Sequence, residues 1–425
     1  MVIISKTQII LKLLQPTKMI GFTKKILALY CCFLGFNALA QNNAKPTDAE
    51  ILSIIEKNKP LKGAIIPADI KHRIGATHVG GKYFFTKEPF LVEGAKKLDS
   101  LGFGVCKLWF YKDPKGYQYN SNWNLPQQFS LVDLAQHPYY QQAFDLPFST
   151  FLLSTKGSVK NMINAKEVEF KTEEQEYYEL AKFFLKKYKD RSVSFVLQNW
   201  EGDWILRGGV SAKVKYDKDN LPANLDQRIK SMQRIFKARQ DGVNRARAEV
   251  KNTKCKVYHA IEVNRVMEAM DGLPGLATHV LPFVETDMVS WSAYDATGGD
   301  NSGKKLYKGI SFLKEQMKPT AYVKQPTVFL GEIGIPESQT KKKPHEFKEY
   351  WDNYLAVFLA QNGKYLVQWE LYCNENAKDK KIAQPDFTRD ESDLKGLWLI
   401  RPNGTMGYGM TYFDEILKNA GQKLK

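Results

Sequence analysis

Residues Val196–Trp204, VLQNWEGDW, decide how the chain is read. A run of apolar and β-branched residues begins at Ser192 and stops abruptly at Asn199, Trp200, Glu201, Asp203 and Trp204. A strand that ends by presenting two carboxylates and two indoles together is built to face something polar at its C-terminal end. Working outward, seven further runs of the same kind lie between residues 70 and 372. They are Arg73–Val79, Gly104–Phe110, Ser149–Thr155, Lys256–Val263, Asp287–Tyr294, Thr327–Gly334 and Lys364–Tyr372.

Amphipathic stretches separate these runs. EEQEYYELAKFFLKKY (Glu173–Tyr188) carries leucine and aromatic residues at helical spacing, and Asp226–Val250 is longer and more basic. Glu346–Gly363 ends in Asn-Gly, a helix stop, and Tyr408–Gly421 supplies the last helix. Strand and helix in alternation predict βαβ units on a parallel sheet, and eight strands close a (β/α)8 TIM barrel with elaborated loops. The segments 111–145 and 374–395 carry no regular pattern. Strict alternation within strands places Phe195, Leu197, Asn199 and Glu201 on one face, and Val328, Leu330 and Glu332 on another. Each series runs from apolar to polar, the pattern of an inward-facing row that opens onto the catalytic end of a barrel.

The N-terminus reads as an address. Lys24 and Lys25 precede the apolar run Ile26–Phe36, and Ala38-Leu39-Ala40 is an A-x-A cleavage site. Residues 1–40 are therefore expected to be a signal peptide, with Met19 a plausible true start. The mature protein, 41–425, is expected to be a single barrel, periplasmic or extracellular, with no stable membrane insertion once the signal is removed. The run is shorter than the ~20 residues a membrane span needs. The net charge is +16, but five lysines and no acids fall in the first forty residues, leaving +11. The basic residues are scattered and form no stripe with interleaved aromatics, which argues against nucleic acid; an acidic polysaccharide would suit the charge. Cys106, Cys255 and Cys373 remain after processing and are expected to be buried free thiols.

Function enters through two glutamates. Glu201 ends the fourth strand and Glu332 the seventh. Two carboxylates at the ends of different barrel strands suit cleavage of an acetal, where one protonates the leaving oxygen and the other meets an oxocarbenium-like centre. A metal-dependent amidohydrolase would need an HxH after the first strand, and none of the six histidines forms one. A phosphate-binding barrel would need a glycine-rich anion loop; Gly404–Gly409 is the nearest match and reads as a turn. No cofactor or metal is expected.

Short motifs then resemble a known group. GEIG (Gly331–Gly334) is similar to the GE-aromatic-G nucleophile motif in the clan of retaining (β/α)8 glycoside hydrolases. WSAY (Trp291–Tyr294) falls where that clan has a sixth-strand tyrosine, and Trp369 of QWELY where it has an eighth-strand tryptophan under the sugar. GLWLIRPNGTMGYGMTYFDEIL is similar to the turn these barrels place before their last helix. The resemblance implies Glu201 as acid/base and Glu332 as nucleophile, oriented by Tyr294. Asn199, Trp200, His78, Trp109, His259, Trp291, Tyr294 and Trp369 are the expected sugar contacts. One departure stands out: the clan places Asn directly before the acid/base, whereas Trp200 intervenes here. Glu262 and Asp203 therefore remain alternative proton donors, and Glu262 and Asn264 are placed beside the cleft. Glu370, of opposite parity to Trp369, is expected to point away. A lapsed barrel that only binds glycan, and an inverting enzyme on the same fold, remain the alternatives.

Overall fold

Strand periodicity and helix spacing are realised as a closed barrel of eight parallel strands. The computed structural model describes residues 45–159, 161–209, 216–340 and 343–424; the expected signal peptide and Met19 lie outside the described residues. In chain order the barrel strands are β1 (Ile74–His78), β2 (Val105–Phe110), β3 (Thr150–Thr155), β4 (Ser194–Gln198), β5 (Lys256–Val263), β6 (Met288–Ser292), β7 (Val328–Ile333) and β8 (Leu366–Gln368). Each pairs with its neighbours in sequence, and β8 closes on β1 with Ile74 opposite Leu366. All eight expected strands are present. Asp48–Lys425 is one unit, and no second folded domain interrupts the barrel among its described residues.

Helices return each strand to the next. Glu167–Lys187 follows β3, Leu225–Glu249 follows β4, Pro344–Ala360 follows β7, and Tyr408–Lys418 closes the ring. Segment 111–145, which carried no readable pattern, holds two short helices set by local chemistry. Ser130 and Asp133 form a reciprocal capping box on Leu131–Gln136, and Pro138 opens Pro138–Phe144.

The strand faces differ from strict alternation. Phe195 and Leu197 point outward: Phe195 stacks on Phe184 of the helix Glu167–Lys187 with ring centroids 3.9 Å apart. The barrel interior is filled instead by Val105, Leu152, Val196, Tyr258, Met288, Phe329 and Val367. Above that apolar plug, toward the C-terminal ends, the inward residues become polar: Lys107, Gln198, Glu262, Ser290 and Glu332 are all buried there. The expected inward series on β4 and β7 were thus one residue out of register in the lower barrel.

Candidate active site

Glu332 reaches the interior because β7 carries one extra residue. Leu330 pairs with Trp291, yet Glu332 pairs with the very next residue, Ser292, so Gly331 is bulged out of the ladder. The bulge turns Glu332 inward from an outward-facing row. Glycine is required at that point, since a Cβ on residue 331 would lie 1.9 Å from Ser290 Oγ and 2.7 Å from Glu262 Oε2. The liberated Gly331 carbonyl accepts a bond from Lys107 Nζ at 3.0 Å.

Glu201 arrives by another route. β4 ends at Gln198, opposite Ala260, and Asn199 replaces the next ladder step with its side chain. Its amide donates to the Glu262 carbonyl and accepts from the Glu262 N–H, both at 2.9 Å. The chain then turns through Glu201 in the left-handed region, φ 31° and ψ 64°, a conformation that costs a non-glycine residue about 1–3 kcal/mol. The Glu201 N–H donates to Glu262 Oε1 at 3.1 Å and holds the turn. Trp200, Glu201, Trp109, Glu332, Tyr294 and Trp369 all line one cleft of about 620 Å³.

Three carboxylates and one lysine meet at its base: Glu201 and Glu332 line the cleft, and Glu262 and Lys107 are buried beneath them. Lys107 Nζ stands 2.8 Å from Glu332 Oε1 and 3.1 Å from Glu262 Oε2, with no solvent exposure. Ser292 Oγ donates to Glu201 Oε1 at 2.6 Å and lies 3.4 Å from Glu332 Oε2. Trp204 Nε1 donates to Glu201 Oε2 at 2.6 Å. Burial pushes Glu332 above the usual carboxylate range; Lys107 opposes this, while the charges of Glu262 and Glu201 add to it. Burial likewise raises Glu201, against the hydrogen bonds from Ser292 and Trp204. Burial also works against the charge on Lys107, but the two carboxylates outweigh it and hold the ammonium above its ordinary range.

Some residues expected at this site are elsewhere. His78 is buried, its Nε2 paired with the Phe90 carbonyl at 2.7 Å, and burial lowers its pKa to about 4. His259 points outward from β5 against Tyr177 and Phe236, and burial, with Arg239 and Arg247 nearby, holds it neutral. Trp291 is fully buried on the outer face of β6, donating to Asp295 Oδ1. Asn199 is consumed by the Glu262 backbone. None of these four lines the cleft. Asp203 does not line the cleft either: its oxygens accept the N–H groups of Asn264, Arg265 and Leu276, fastening the loop after β5. Tyr294 does line the cleft, but its buried hydroxyl has no partner, and Lys107 and Ser292 hold Glu332 instead. Cys106, Cys255 and Cys373 are buried free thiols.

Sequence reasoning passed over Lys107, Gln198, Ser290 and Ser292. The signal for Lys107 was present, a single charge inside the apolar run GVCKLWF at the same parity as Val105 and Trp109. Glu375 and Lys395 join the cleft from loops without pattern, 2.5 Å apart. Among the described residues, no group of three His, Cys, Asp or Glu side chains gathers as for a metal ion, and no helix is long and apolar enough to cross a membrane.

No family model matches the chain, and no curated protein matches it in sequence. Solved structures do share its barrel. A GH5_18 protein of Bifidobacterium longum subsp. longum aligns over 81% of this chain and 78% of its own, at 12% identity and a TM-score of 0.50. Its counterpart from Bifidobacterium longum subsp. infantis aligns over 82% and 79%, at 13% identity and 0.48. A glycoside hydrolase family 5 lichenase from Caldicellulosiruptor sp. F32, solved with cellotetraose, aligns over 89% and 97%, at 11% identity and 0.47. At these identities the likeness is one of fold.

Proposed function

We propose that the protein is a glycoside hydrolase that retains anomeric configuration, with Glu332 as nucleophile and Glu201 as acid/base. One observation carries this reading: both carboxylates touch the hydroxyl of Ser292. The two legs, 2.6 and 3.4 Å, bound the separation of the nearest oxygens at about 6 Å, which admits the ~5–5.5 Å retaining spacing and supports it over the ~6.5–9.5 Å that leaves room for an inverting water. The neighbours distinguish the two. Burial raises both carboxyls, but at Glu332 it is opposed by a cation at 2.8 Å, whereas at Glu201 it is opposed only by the neutral donors Ser292 and Trp204; the carboxyl beside the cation is the better placed to act as the anion.

In the first step Glu201 gives its proton to the departing glycosidic oxygen while Glu332 attacks the anomeric carbon. In the second, Glu201 takes a proton from water, which displaces Glu332. Trp109, Trp200 and Trp369 supply apolar walls for sugar rings. The described lining bears against an acidic substrate. The charged groups that line it are Glu201, Glu332, Glu375 and Lys395, and the lysine is already paired with Glu375. A neutral glycan fits this charge. Export through the signal at residues 1–40, to periplasm or exterior, belongs to the same reading and is supported by the A-x-A site before Gln41.

Reducing-sugar release across a panel of neutral and acidic polysaccharides tests the proposal. Glu332→Ala should abolish turnover, and azide should restore part of it with a product of inverted configuration. Binding without release by the wild-type chain would support a glycan-binding barrel instead.

A further inference from the structure

Four donors converge on Glu262. Its Oε2 accepts from Gln198 Nε2 at 2.6 Å, Ser290 Oγ at 2.7 Å and Lys107 Nζ at 3.1 Å; its Oε1 accepts the Glu201 N–H at 3.1 Å. The side chain has no solvent exposure and does not line the cleft. An ionised carboxylate only accepts hydrogen bonds, and all four groups around this one donate. Such a side chain is placed to hold charge and geometry rather than to trade protons with a ligand.

Glu262 is therefore connected to both glutamates of the proposed mechanism by different means. It fixes the backbone of Glu201 in the left-handed turn, and it shares the single ammonium of Lys107 with Glu332. Resting on the glycosidase reading, we infer that Glu262 is a positioning residue that couples the two catalytic glutamates: it sets the orientation of the acid/base and tempers the charge with which Lys107 neutralises the nucleophile. Without Glu262, Lys107 would pair with Glu332 alone. That carboxylate would lose its proton more readily and become a weaker nucleophile. The titratable and charged groups within electrostatic reach of this base are Lys107 from β2 and Tyr111 beyond it, Glu201 after β4, Tyr294 after β6, Glu332 from β7 and the buried Glu370 after β8, with Glu375 lining the cleft above. Lys107 is the cation among them that touches both Glu262 and Glu332.

The test is a titration that needs no substrate. In the full chain labelled with 13C at glutamate Cδ, the Glu332 carboxyl is the resonance lost in Glu332→Gln. Glu262→Gln should lower its midpoint by about one pH unit or more, as expected for removing a like charge held on the same ammonium. A purely structural role would lower thermal stability and leave the midpoint in place, and a midpoint unmoved in folded E262Q overturns the inference. Should E262Q not fold, Glu262→Asp carries the test: drawing the charge back by one methylene lowers the midpoint by less, and an unmoved or raised value overturns it. On any glycoside the wild type cleaves, the acidic limb of kcat/KM should move down in parallel. If no glycoside is cleaved, the functional reading fails, while the titration still decides the role of Glu262.

Discussion

β4 and β7 deliver their glutamates to the same hydroxyl by different devices. β7 stays a strand to Ile333 and inserts one bulged glycine, so Glu332 turns inward on a paired, rigid element. β4 stops at Gln198, and Glu201 rides a left-handed turn held by one N–H to Glu262. The position of the proposed nucleophile is thus built into the sheet, while that of the proposed acid/base is built outside it from side chains. The comparison teaches that a catalytic residue belongs to its strand only as far as the ladder reaches. Past that point another side chain must replace the ladder.

The largest contrast comes from removing each carboxyl. Glu332→Ala should cost about 10⁴-fold or more in kcat for every substrate. Glu201→Gln should cost about 10²–10⁴-fold with poor leaving groups and far less with an activated aryl glycoside, because a good leaving group needs no proton. Equal losses for both substrates in the Glu201 variant would break the division of roles.

Next is the bulge. Gly331→Ala drives a methyl into Ser290 and Glu262 and should displace Glu332 by a fraction of an ångström to an ångström. That should cost on the order of 10²-fold in kcat with the chain still folded. Wild-type kcat in this variant would mean that the close approach at residue 331 does not position the nucleophile.

A smaller effect sharpens the β4 side. Trp204→Phe removes the donor that stabilises the Glu201 anion, so Glu201 should keep its proton to higher pH. The basic limb of the pH–rate profile should then move up while the acidic limb stays. Movement of the acidic limb alone would assign Glu201 the wrong role.

The smallest effect lies beside the site. Glu370 is buried with one oxygen unpartnered, and burial raises its pKa well above the usual range. A carboxyl raised on folding contributes its stability below the unfolded value near ~4.3 and loses it as pH climbs toward the folded value. Urea unfolding of Glu370→Gln should therefore match wild type more closely at pH 5 and show a relative gain at pH 8. A constant difference between the two would count against it.

The barrel was legible in the sequence because its strands are apolar runs and its main helices keep helical spacing, which backbone physics converts into βαβ units. Both glutamates were also legible as strand-end carboxylates, although the alternation argued for them had the wrong face. Phe195 and Leu197 point outward, and each glutamate reaches the cleft by breaking the alternation. A bulge and a left-handed turn depend on contacts with other strands, such as Ser290 and Glu262, that no local pattern records. The same holds for His78, His259 and Trp291: a strand-end position does not say which face is the cleft. Lys107 was visible as an anomaly, but its meaning needed Glu262 and Glu332 beside it.

The spacing of the two carboxyls across Ser292 is the centre of this account, and the stereochemistry of the first turnover reads it directly. Proton NMR of the product formed in the first minutes, before mutarotation, should show the anomer of the substrate. First-formed product of opposite configuration would contradict a direct attack by Glu332.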